Sequence, residues 1–161
     1  MFNLKAEFYL KIIFLFSFIA LISAFFIEYI LGHQPCNLCL IERIPYGLSI
    51  MIIMAIFLIK KNQKFLVMLL ILTFIFSFAI SFYHFGIEQG FFQESSVCGV
   101  KSLTEIITKE DLLKQLSEKT ISCKDVTFRI FGLSLTSINI VISLLFIITL
   151  LKIFKKYEKN K

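Results

Sequence analysis

At 161 residues the chain has the length of one domain, yet 58% of it is hydrophobic, only 17% is charged, and Phe alone accounts for 20 positions. A water-soluble fold of this size has no interior large enough to hide that much apolar surface, so the composition excludes a soluble globular protein and makes a bilayer the expected solvent. The net charge of +6 does not point to nucleic acid, because the basic residues gather at the ends of apolar runs rather than on a polar face.

The first run covers residues 12–30, preceded by Lys5 and Lys11 and charged only at Glu28 near its far end. It is long enough to span. It lacks an A-x-A-like end and is followed by further runs of its kind, so it is expected to be retained rather than cleaved as a signal peptide. Next comes Gln34-Pro35-Cys36-Asn37-Leu38-Cys39-Leu40-Ile41-Glu42-Arg43, a Cys-x-x-Cys pair between two apolar runs. Two intervening residues let both sulfurs meet within one turn of backbone, which suits a reversible disulfide or half of a metal site.

Run two, residues 44–59, is uncharged but short, and a span needs Leu40, Ile41 and the stem of Arg43 to lengthen it to about 40–59. Pro45 leaves two starts open. A helix beginning near Pro45 would hold it where the missing N–H is harmless, whereas one beginning near Cys39 would be kinked by it. Lys60, Lys61 and Lys64 form a tight basic loop, and run three follows over residues 65–87, so runs two and three are predicted to be an antiparallel helical hairpin. Run four covers residues 130–151. The tail after it carries Lys152, Lys155, Lys156, Lys159 and Lys161.

Basic residues at the N-terminus, in the Lys60–Lys64 loop and in the tail place all three on the cytoplasmic side. Four spans then put both cysteine pairs, Cys36/Cys39 and Cys98/Cys123, on the other side, where a bacterial periplasm is the natural oxidising compartment. The outer segment agrees: from residue 88 to 125 its acids outnumber its lysines. Within it, Ser102–Glu105 and Thr108–Asp111 read as capping boxes. The apolar sets that accompany them, Leu103/Ile106/Ile107 and Leu112/Leu113/Leu116, do not share one helical face, which predicts two short helices on the membrane surface. The expected fold is an all-α membrane protein, one domain over residues 1–161: a four-transmembrane-helix bundle with a long periplasmic loop over residues 88–129 that carries short surface helices.

Three stretches together resemble the disulfide-bond-formation protein B (DsbB) family of bacterial inner-membrane, quinone-dependent thiol oxidoreductases. They are Pro35-Cys36-x-x-Cys39-x-x-Glu42-Arg43, then Tyr83-His84-Phe85-Gly86-Ile87-Glu88-Gln89-Gly90 leading to Cys98-Gly99, then Cys123 followed by Phe131-Gly132-Leu133-Ser134-Leu135. The resemblance runs from the first span to the fourth. Two departures are the lack of Trp and Glu88 where some members carry a neutral amide.

The resemblance implies that Cys36 and Cys39 are the quinone-proximal pair, with Cys39 facing the ring of a ubiquinone or menaquinone and Arg43 polarising it. Arg43 follows Cys39 by four residues, one helical turn on the same face, and a guanidinium and a helix N-terminus both favour a thiolate. It also implies that Cys98 makes a mixed disulfide with a soluble thioredoxin-like periplasmic oxidant of the DsbA type, which Cys123 resolves. Spacing alone would instead make Cys98–Cys123 a structural staple contributing roughly 3 kcal/mol. DsbA, the reference case for this redox step, has a potential of about −120 mV, so a glutathione pool near −180 to −210 mV cannot reoxidise it; the shortfall is roughly 3–4 kcal/mol for two electrons. A membrane quinone is the stronger oxidant available.

His84 and Glu88 join Arg43 as candidates for the quinone end. Against these roles stand an interfacial snorkelling arginine, a helix-end histidine bonded to backbone, and solvated carboxylates at Glu28 and Glu88. Gly86, Gly90 and Gly132 suit turns or close packing, and the Phe residues suit lipid-facing and core positions. Three rival functions remain: a zinc site of four cysteines, a vitamin K epoxide reductase-like thiol enzyme, and a membrane scaffold stapled by two static disulfides. The unequal cysteine spacing disfavours the first, so no metal is expected, and the early position of Cys-x-x-Cys disfavours the second.

Overall fold

In a computed structural model of the protein the described residues are 4–59, 62–93, 98, 123–124, 129–130 and 132–159. They form four long helices, α1 (Leu4–Tyr29), α2 (Asn37–Leu58), α3 (Gln63–Glu88) and α4 (Leu135–Lys159), plus a small antiparallel hairpin of β1 (Arg129–Ile130) and β2 (Leu133–Ser134). All four helices are long and apolar enough to cross a membrane. Their outward faces carry Phe18, Ile22, Met51, Leu72, Phe76 and Leu145 in the open, which is the surface a lipid-solvated bundle presents. The chain is thus an all-helical, multi-pass membrane protein.

The helices outrun the apolar stretches that announce them, because those stretches mark only the part that sits in hydrocarbon. Lys and Glu are good helix formers and let the backbone continue beyond it. So α1 begins at Leu4 rather than near residue 12. The fourth helix is instead shorter than its run at the start: it begins at Leu135, not near residue 130. Gly132, at φ +82°, turns the chain between the paired strands, and Ser134 then caps the helix by accepting a 3.2 Å hydrogen bond from the Ser137 amide. At Pro45 the structure takes the earlier start, with α2 running from Asn37 and the proline inside it. The pair of capping boxes and the surface helices expected there lie outside the described residues.

Helix α3 packs against both α2 and α4, α1 leans on α2, and α1 barely meets α4. Two clusters form, one at each end of the bundle. Leu10, Ile13, Ile53, Ile56, Val67, Leu70, Phe74 and Leu150 make an apolar core towards the end that carries both termini. At the opposite end Cys36, Leu38, Ile87, Cys98 and Cys123 cluster with Cys39, Ile41 and Tyr83 against them. Between the two, Phe74 meets Tyr46 and Phe146 edge-to-face at ring-centroid distances of 6.4 and 5.0 Å.

Candidate active site

Cys36 is the residue that starts α2. It holds an extended backbone, and its Sγ accepts a hydrogen bond from the Cys39 amide at 3.2 Å, the position that Ser or Asp fills at most helix starts. The pair therefore sits at the positive end of the helix dipole. Both are free thiols here, Cys36 buried and Cys39 partly so. The hydrogen bond from the Cys39 side chain pulls the Cys36 thiol down to about 5; His84 pulls in the same direction and burial opposes both. A thiol held that low is a nucleophilic thiolate at neutral pH.

Cys98 and Cys123 are joined as a disulfide with Cα atoms 5.6 Å apart. At 0% and 2% exposed they lie in the same cluster as Cys36. All four sulfurs are thus gathered at one end of the bundle.

His84 reaches the same place from α3. Its Nε2 lies 3.6 Å from Cys36 Sγ and its Nδ1 lies 2.9 Å from Glu42 Oε1. Among the described residues its partners are side chains rather than backbone atoms. Glu88, one turn on, accepts from Thr136 Oγ1 at 2.8 Å and is 6% exposed, while its Oε2 has no hydrogen-bond partner among the described residues. It is therefore not a solvated carboxylate. A buried carboxylate oxygen left open inside a lipid-solvated bundle marks a place where a proton or a ligand group belongs.

Arg43 goes elsewhere. Its guanidinium pairs with Glu28 of α1 and lies over the Phe25 ring, 5.3 Å from its centroid. Glu28 accordingly has a charged partner.

Five further polar residues complete the site: Glu42, Tyr46, Ser81, Thr136 and Asn139. Asn139 Nδ2 donates to Glu42 Oε2 at 3.1 Å and to Ser81 Oγ at 2.7 Å, while its Oδ1 accepts from Tyr46 at 2.5 Å. They recur three or four residues apart on otherwise apolar helices, Glu42/Tyr46 on α2 and Thr136/Asn139 on α4. That spacing aligns them on one inward face and is the signal by which a sequence can reveal them.

A metal is a chemical option for part of this set, since the ligand atoms of Cys36, Cys39 and His84 all lie within 4.8 Å of one another. The four-cysteine set is not available, because Cys98 and Cys123 are bonded to each other.

A multi-pass helical bundle with a reactive buried dithiol beside a second, bonded cysteine pair defines a membrane thiol–disulfide protein. Residues 6–153 match the family described as Disulfide bond formation protein DsbB, and the chain belongs to that family of membrane disulfide-forming thiol oxidoreductases. It is also similar to the Uncharacterized protein RP370 of Rickettsia prowazekii (strain Madrid E), with 31% identity over 147 residues, 90% of this chain and 86% of that protein. No solved structure matches it.

Proposed function

We propose that this protein is a membrane thiol:quinone oxidoreductase that reoxidises a periplasmic thioredoxin-like disulfide donor of the DsbA type. The observation that carries the reading is the gathering of both cysteine pairs in one buried cluster, beside side chains that face lipid. Electrons enter when a partner thiolate attacks Cys98 and Cys123 leaves as thiolate; the partner's second thiol then displaces Cys98, so the partner is oxidised and Cys98/Cys123 become a dithiol. That dithiol reduces a Cys36–Cys39 disulfide by the same exchange, with no net change in protons or electrons. The Cys36/Cys39 dithiol then gives up two electrons and two protons as its disulfide reforms.

The residues present fit a quinone as the acceptor of that pair. Arg43 offers a charged donor beside the exposed Phe25, Leu40 and Ile44, and Cys39 and the open Oε2 of Glu88 belong to the same end of the bundle. Ubiquinone or menaquinone would supply a two-electron, two-proton acceptor there. Arg43 would bind a ring oxygen, Phe25 and Ile44 would line the apolar approach, and His84 and Glu88 would handle protons. The basic loop and termini support a bacterial inner-membrane location with cytoplasmic termini and periplasmic cysteines.

The test is anaerobic. Purified protein is mixed with excess quinone and a reduced thioredoxin-like oxidant, and quinone absorbance is followed. Loss of quinone that needs all four cysteines is expected; quinone that stays oxidised with both quinone types overturns the reading.

A further inference from the structure

The redox reading leaves open what governs the proton on Cys36, and the hydrogen-bond network behind His84 answers it. Thr136 Oγ1 donates its only proton to Glu88 Oε1, so it can only accept from His84 Nδ1, which lies 3.3 Å away. Glu42 Oε1, on the same nitrogen, is an acceptor when ionised. Two acceptors at one ring nitrogen require a proton there, so Nδ1 is the N–H and Nε2 is the atom that exchanges a proton with Cys36.

Glu42 is itself fixed. Its second oxygen is held by Asn139 Nδ2, and every hydrogen-bonding position of that amide is in use: Nδ2 donates to Glu42 and Ser81, and Oδ1 accepts from Tyr46 and, at 3.4 Å, from Ser143. Flipping the amide would set its oxygen against the Glu42 carboxylate, so the network admits one orientation. The arrangement joins α2, α3 and α4 in a single chain from Cys36 through His84 and Glu42 to Asn139.

We propose that Glu42, locked by Asn139 of α4, is a positioning residue that holds His84 Nε2 against Cys36 and so sets the pH at which this dithiol becomes reactive. The proposal rests on the redox reading of the cysteines. In the step it governs, the proton passes from Cys36 Sγ to His84 Nε2 and the electron pair stays on sulfur; nothing is oxidised until the disulfide forms. Among the described residues, the titratable groups facing Cys36 are Cys39 on α2 and His84 on α3. Behind them stand Glu42 on α2 and Glu88 on α3, and Tyr83 of α3 packs against the same cluster. Helix α4 contributes the neutral Thr136 and Asn139, and the bonded Cys98–Cys123 pair does not titrate.

The test uses the full-length, reduced protein without quinone, labelled briefly with iodoacetamide across a pH series, with the Cys36 peptide quantified by mass. The wild type is expected to lose labelling only as pH falls through about 5. In Glu42→Gln and Asn139→Leu the midpoint should rise by one unit or more, a fall of about twofold or more in labelling near pH 6, and Glu42→Asp should restore part of it. An unchanged midpoint in a folded Glu42→Gln protein overturns the proposal. Should the variants not fold, histidine 15N spectra of the wild type decide it, with His33→Gln identifying the other of the two histidines. A proton held on Nδ1 across the pH series is expected, with Nε2 the nitrogen that gains or loses one; a neutral ring protonated on Nε2 and bare at Nδ1 overturns the proposal. Because no quinone is present, a protein that shows the shifted labelling profile yet fails to reduce quinone would separate this proposal from the function it builds on.

Discussion

The two ends of this bundle are made from the same four helices in the same solvent, and they are held by different forces. Towards the termini, Leu10, Ile53, Ile56, Val67, Leu70 and Leu150 are fully buried against one another with no hydrogen bond between their side chains. Lipid is as apolar as leucine, so that end is held by shape and dispersion rather than by escape from water. At the cysteine end His84, Thr136 and Asn139 are buried, Glu42 and Glu88 are nearly so, and the five are bonded to one another. Burying such groups is costly and offers no better adhesion than a packed apolar face, so their presence is best explained by chemistry. The apolar end sets stability, and the polar end sets reactivity.

The sharpest way to break this division is through the sulfurs. Cys36→Ser or Cys39→Ser is expected to abolish quinone reduction, and Cys98→Ser to block oxidation of the soluble partner. Neither Cys36→Ser nor Cys39→Ser should move the thermal midpoint of the purified protein as much as a change in the apolar core would. Rapid quinone reduction by Cys39→Ser, followed by absorbance, would remove the proposed role of the pair. At the other end, Leu70→Ala opens a cavity at a site that is 0% exposed. A loss of about 2–5 kcal/mol in unfolding free energy is expected, with Cys36 labelling unchanged below the transition. A changed labelling rate would mean that the two ends are coupled.

The division was only half visible in the sequence. The four spans were legible because run length and lysine position report directly on hydrocarbon thickness and interface. The start of α4 was not, since residues 130–134 are as apolar as the helix they precede and only Gly132 and Ser134 betray the turn and the cap. The cysteines announced themselves by spacing and by the company of Pro35, Glu42 and Arg43. Thr136 and Asn139 did not, because a hydroxyl and an amide in an apolar run carry no mark of their partners until α2 and α3 are placed beside them. Arg43 was legible as a candidate for the quinone end, but its pairing with Glu28 depends on how α1 meets α2.

That pairing gives a smaller effect that sharpens the comparison within the polar end. Arg43→Ala should leave Cys98–Cys123 intact and raise the KM for quinone about tenfold, the scale of one charge-assisted hydrogen bond. Glu28→Gln, which keeps the guanidinium but frees it, should change KM less. Equal kinetics in Arg43→Ala and the wild type would count against a quinone contact and leave Arg43 as an anchor of α1 on α2.

The smallest effect concerns the edge of the cysteine end. After α3 the chain doubles back, with the amides of Phe91 and Phe92 donating to the Gly86 carbonyl at 2.8 and 3.1 Å and the Phe92 ring stacked on Tyr83 at 5.7 Å. A Cβ on Gly86 would lie 2.1 Å from Phe92 Cδ2, so the ring must move. Phe92 is about half exposed and can tilt outward, which holds the expected cost of Gly86→Ala to about 1 kcal/mol. Tyr83 also lines the sulfur cluster, so the displaced ring should loosen its cover and speed reduction of Cys98–Cys123 by a small-molecule dithiol. Faster reduction with little loss of stability would place Phe92 among the groups that shield the second disulfide. A stability loss with reduction unchanged would assign the Gly86 contact to packing alone.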